Sequence, residues 1–95
     1  MRWPDNTEIL FALANANYSA SHLIEAEENY RKLLALNPSH SLAMNNLAMV
    51  LCQSHRSEEA LKLLDKVVSD DPKIQSLIKA SREEIAAGCI TLPKK

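Results

Sequence analysis

The amino-acid sequence predicts an all-α protein, a right-handed helical-hairpin solenoid of two hairpin units and a C-terminal capping helix. Three observations predict it. Pro4, Pro38 and Pro72 recur at a constant interval of 34 residues, the length of one helix–turn–helix unit in a stacked repeat array. The chain has one glycine and many Ala, Leu, Glu and Lys residues, which favours helix throughout. It has no Asn-Gly or Asp-Gly pair and no sustained period-two alternation, the marks of strand hairpins.

The helices follow in order from their end signals. Asp5 precedes Glu8 by three residues, a capping-box spacing that opens a helix over about residues 6–20. A second helix, about 22–36, stops before Asn37-Pro38, because a proline disfavours helical backbone in the residue before it. Ser39 or Ser41 is the expected cap of a third helix, about 41–54. Ser57, with Glu58 and Glu59 in the following turn, is expected to cap a fourth, about 58–69. Asp71-Pro72 is an N-cap followed by proline at the first helical position. It opens a fifth helix, about 72–87, closed by Gly88 as a left-handed C-cap.

Residues 5–38 align with residues 39–72, with identities at Leu13/Leu47, Ala14/Ala48, Glu25/Glu59, Ala26/Ala60, Lys32/Lys66 and Pro38/Pro72. Ala14 and Ala48 fall midway along the first helix of each unit, and Ala26 and Ala60 early in the second. Small residues there let antiparallel helices approach closely. Tyr30 and Leu64, one turn further on, fill the adjacent layer.

At these residues the chain resembles the tetratricopeptide repeat family. Its motif is a large apolar residue, then Leu-Gly/Ala and a further large residue in helix A, with Ala, an aromatic and a closing Pro in helix B. The first unit supplies Leu10, Leu13-Ala14, Ala26, Tyr30, Leu33-Leu34 and Pro38. The second supplies Met44, Leu47-Ala48, Leu51, Ala60, Leu64, Val67-Val68 and Pro72. There are departures. Asn17 stands where helix A usually carries a large or aromatic residue, which predicts looser packing. Ser21 and His55 stand where the inter-helix turn usually carries Gly, so each is expected to take a left-handed conformation at some cost.

The organisation read from this is residues 1–4 as the end of a preceding repeat or a linker, 5–38 and 39–72 as two units, 73–88 as a capping helix and 89–95 as a tail. The fifth helix cannot complete a third unit, since Ser81-Arg82 replaces the Leu-Ala pair. Ile74, Leu77, Ile78 and Ile85 are expected to face inward, with Lys73, Lys79, Arg82, Glu83 and Glu84 outward. Trp3-Pro4 leaves the first helix without a neighbour on its open side. Arrays generally need about three units. The chain is therefore expected either to be the C-terminal piece of a longer array or to form a homo-oligomer through the open N-terminal face.

Eleven basic residues oppose twelve acidic ones, interleaved along the chain. This is a mixed, solvated surface rather than the basic face of a nucleic-acid binder. No apolar run reaches the length of a membrane span. Cys52 lies in an apolar helical stretch and reads as a small packed residue, while Cys89 follows the last helix and is expected to be exposed. Two such cysteines are no disulfide framework; they suit a reducing compartment, and a cytoplasmic location is the expectation. Cys52 and His55 have metal-ligand spacing, with Cys89 and His22 as distant additions, but structural zinc sites use two tightly spaced pairs. The adjacent pairs Glu27-Glu28, Glu58-Glu59 and Glu83-Glu84 diverge around a helix. One glycine cannot build a phosphate loop. No cofactor, metal or catalytic residue is expected, and the chain reads as a non-enzyme.

The resemblance implies a protein–protein interaction module whose helix A residues line a concave groove for a partner peptide or helix. By position the groove residues are Phe11, Asn15, Tyr18 and Ser19 of the first unit, Leu42, Asn45, Met49, Cys52 and Gln53 of the second, and Lys79 of the capping helix. Glu8, Ser76 and Glu83 flank them. Phe11, Asn15 and Tyr18 share one helical face, and Asn15, Asn45 and Asn46 offer amides to a peptide backbone. One subtype captures chaperone C-terminal carboxylates through basic residues. Phe11, Ser76 and Ala80 stand at those places here, so carboxylate capture is not expected. The alternatives are a non-catalytic regulatory domain of a larger enzyme, such as a transferase, and a self-association module.

Overall fold

The computed structural model describes residues 7–89. They form five helices, α1 (Thr7–Ser19), α2 (Leu23–Leu36), α3 (Ser41–Gln53), α4 (Ser57–Leu64) and α5 (Pro72–Ala86), with no strand among the described residues. Each helix packs on the next, except that α5 lies against both α3 and α4, and α3 also touches α1. The helical hairpins thus stack with α1, α3 and α5 along one side and α2 and α4 along the other. The body measures 43 × 35 × 20 Å.

The close crossings fall where small residues allow them. Ala14, Ala26, Ala43, Ala48 and Ala60 are completely buried, and Tyr30, Leu33, Leu47, Leu51 and Leu64 fill the layers between them. Leu13 and Leu47 hold the same place in the motif but differ in environment: Leu13 is 48% exposed and Leu47 1%. Leu47 sits on α3, which packs against the preceding α2, whereas no described helix precedes α1. Asn17, in place of a large residue, donates its amide to Asn29 Oδ1 at 2.7 Å and so ties α1 to α2.

Three helices end in the same hydrogen-bonded motif. After α1, His22 N–H donates to Asn17 O and Ser21 N–H to Tyr18 O; after α3, Arg56 N–H donates to Leu51 O and His55 N–H to Cys52 O. After α5, Cys89 N–H donates to Glu84 O and Gly88 N–H to Ile85 O. The motif needs a left-handed residue. Ser21 and His55 occupy it with φ of 66° and 67°, and Gly88 with φ of 105°.

Several sequence expectations need correction. The cap of α3 is His40, whose Nδ1 accepts from Ala43 N–H at 3.1 Å, and not Ser39 or Ser41. The imidazole reaches the first turn while its ring lies tilted against Phe11, with ring centres 4.9 Å apart. Ser57 is the first residue inside α4; the N-cap is Arg56, which gives no side-chain cap bond because a guanidinium has no acceptor to offer the first-turn N–H groups. Helix α4 stops at Leu64, not near 69, and the turn tightens through Lys66 N–H to Leu63 O and Val67 N–H to Leu64 O. The β-branched Val67-Val68 and the following Pro72 disfavour continuation. Asp71 caps α5 through Lys73 N–H as expected. The capping box at Asp5 lies outside the described residues.

Helix α5 buries Ile85 and Ser81 and half-buries Ile74, Leu77 and Ile78. Its outward Arg82 reaches Asp65 at the end of α4. Cys89 is buried rather than exposed, because the turn after α5 folds it back onto α3, where it forms a disulfide with Cys52.

Candidate functional site

The side formed by α1, α3 and α5 carries the residues that the motif positions assign to a groove. Ser19, Leu42 and Lys79 are exposed; Phe11, Asn15, Tyr18 and Gln53 are half-buried; Asn45, Met49 and Cys52 are buried. Phe11 lies edge-on to Tyr30, centres 6.4 Å apart, and tilted against His40. Gln53 Nε2 donates to Tyr18 Oη at 3.4 Å, so side chains of α1 and α3 meet directly at this face. Met49 lies beneath, at the edge of the core.

The asparagines are used internally. Tyr30 Oη donates to Asn15 Oδ1, and Asn46 Nδ2 donates to the same oxygen at 3.1 Å. Asn45 Nδ2 donates to Asn46 Oδ1 at 3.3 Å, and Ser81 Oγ donates to Asn45 Oδ1. One polar chain therefore crosses α2, α1, α3 and α5. Among the described residues no buried side-chain nitrogen or oxygen lacks a hydrogen-bond partner. Sequence reasoning did not find Ser81 as a member. The signal was present: Ser81 stands 34 residues after Leu47, replacing an apolar core residue with a hydroxyl that needs a partner.

Burial moves both phenols further above the physiological range. It pushes Tyr18 above its ordinary value, with a smaller contribution from the negative charge of Glu84. It pushes Tyr30 up to about 12. Each retains its proton across the physiological range and remains a hydrogen-bond donor.

The other side carries a cluster of two arginines and two glutamates. Arg56 holds Glu27 with two bonds of 2.8 and 3.0 Å and reaches Glu59 at 3.1 Å. Arg31 contacts Glu27 at 2.9 Å and Glu59 at 3.0 Å. The cluster joins α2 to the start of α4, and hence one hairpin to the next. Hydrogen bonding to Arg56 holds the Glu27 carboxyl below its ordinary value of 4.5. Arg56 is in turn shifted upward, chiefly by Glu27.

Among the described residues no group of three or more His, Cys, Asp or Glu side chains is placed to hold a metal ion, and no helix is long and apolar enough to cross a membrane.

Comparison with known proteins agrees with this architecture. The family model for the tetratricopeptide repeat matches residues 17–85. A 64-residue stretch, 67% of the chain, is 39% identical to cellulose synthase operon protein C of Pseudomonas fluorescens (strain SBW25). The chain spans 5% of that relative's length. No solved structure gives a significant match. With its alanine-mediated crossings, its paired hairpins and a family match over most of its length, the chain belongs to the tetratricopeptide repeat family.

Proposed function

We propose that the chain binds a short segment of a partner protein on the face built by α1, α3 and α5. The observation that carries this reading is the meeting of Tyr18 and Gln53 across two hairpins, on the same helices that carry the half-buried Phe11 ring and the exposed Leu42. A ring with a polar tip such as Tyr18 supplies contact area and direction together, and an exposed apolar side chain adds to the area. Lys79 offers a cation at the α5 end of this face. Asn15, with Asn45, Met49 and Cys52 beneath it, holds the face in shape more than it offers contacts. The surface is mixed rather than cationic, which favours side-chain docking over capture of a terminal carboxylate.

The likeness to cellulose synthase operon protein C, of which this chain matches a small fraction, favours a second reading at larger scale. In it the chain is one stretch of a longer repeat array that holds partner proteins during cellulose synthesis. A regulatory domain of a larger enzyme is the related alternative.

Selection of peptides against the chain from a displayed library tests the proposal. Tyr18→Ala and Leu42→Ala should each weaken a selected peptide by about 1–2 kcal/mol. Lys32→Ala, on the outer surface of α2, should leave affinity unchanged. Loss with Lys32→Ala but not with the other two would move the site to the opposite side.

A further inference from the structure

We infer that Cys52 and Cys89 form a thiol–disulfide exchange site, through which low-molecular-weight thiols and disulfides set how firmly α5 is held on α3. The two residues lie 37 positions apart in sequence, with Cα atoms 5.8 Å apart. Cys52 belongs to the last turn of α3, and Cys89 is the third residue beyond Ala86, the last residue of α5. The bond between them fastens the end of one helix to the end of the other.

The site is buried yet reachable from one side. Cys52 and Cys89 are each 4% exposed. Cys52, but not Cys89, lines a cavity of about 600 Å³ together with His55, Arg56, Ser57 and Gly88. Ser57 Oγ lies 3.6 Å from Cys52 Sγ. A small thiol entering this cavity meets the sulfur of Cys52 first. Its thiolate attacks Cys52 Sγ, the Cys52–Cys89 bond breaks, and Cys89 leaves as a thiolate that takes a proton from water. A second small thiol attacks the sulfur of the first, releasing Cys52 as a thiol and the small molecule as its disulfide. Two small thiols have then lost two electrons and the protein disulfide has gained them. The reverse sequence with a small disulfide restores the bond.

The surroundings make the bond consequential for α5. Apart from Ile85 and Ser81, the inward residues of α5 are only half-buried. Gly88 has φ of 105° and open space around it, a hinge that costs little to turn. Cys89 has φ of 49°, a left-handed backbone unfavourable for a side-chain-bearing residue. Opening the bond lets Cys89 leave that conformation and α5 detach from its C-terminal end. Glu84, whose charge reaches Tyr18, lies in that last turn, so the release reaches the α1–α3–α5 face.

The test uses the 95-residue chain in glutathione buffers of graded ratio, quenched with a maleimide and read by mass spectrometry. Both cysteines should become labelled together in one two-electron transition. Amide exchange in α5 should rise on the order of tenfold on reduction while α1 and α2 stay unchanged. Cys89→Ser should trap a glutathione adduct at Cys52 faster than Cys52→Ser traps one at Cys89. Labelling of both thiols without reductant, equal α5 exchange in the two states, or faster trapping at Cys89 would each overturn the assignment.

Discussion

Leu13 and Leu47 are chemically identical and hold the same motif position, yet one is half exposed and the other sealed. The energy of a core residue depends on what its helix leans against. Leu47→Ala should destabilise the chain by about 2–5 kcal/mol, because it leaves a cavity between α3 and α2. Leu13→Ala should cost less than about 1 kcal/mol. Urea denaturation of both variants checks the contrast; equal losses would mean that α1 is covered as fully as α3. The alanines at 14, 26, 48 and 60 were legible in the sequence, since only small side chains suit a close crossing at a fixed period. The asparagines were legible as polar groups on helix A but not in their use. Asn15 and Asn46 lie 31 residues apart, and Asn45 and Ser81 36 apart, so only folding brings them within bonding distance.

Among the elements, α1, α3 and α5 share a termination geometry, but only α5 uses glycine for it. Ser21 and His55 adopt a left-handed backbone that costs a side-chain-bearing residue on the order of 1 kcal/mol. His55→Gly should therefore raise stability by about 1 kcal/mol, less the extra entropy glycine gives the unfolded chain. A rise in the thermal midpoint checks this; a fall would mean that the His55 side chain contributes more than its backbone costs. At helix starts the positions were readable but the capping residues of α3 and α4 were not. His40 is not among the favoured caps, and it caps α3 because its ring is held by Phe11 from the preceding hairpin. Arg56 stands at the start of α4 without capping it, since a guanidinium only donates, and it donates to Glu27 on α2. At His40 a tertiary partner overrode the local preference for serine.

In the whole molecule, consecutive hairpins are joined on one side by the Asn–Ser chain and on the other by the Arg–Glu cluster. Glu27 is central to the second joint. Its carboxyl in the folded protein is held below 4.5 by Arg56 and Arg31. A depressed folded value stabilises the protein above the ordinary value and ceases to do so as pH falls through the folded one. Stability should therefore drop as pH is lowered from about 4.5. Glu27→Gln should flatten that part of the profile and lower stability at pH 7. Urea midpoints from neutral to acid pH measure it, and an unchanged acid slope in Glu27→Gln would assign the loss to other carboxylates.

Local propensity and spacing along one chain establish that the chain is helical, that its period is 34 residues, where its closest crossings fall and where its hairpins turn. Packing alone settles that Cys89 returns to Cys52, that Ser81 completes a polar chain begun at Tyr30, and which motif residues stay exposed. Those outcomes depend on distances between residues far apart in sequence, and periodicity carries no information about such distances until the helices have packed.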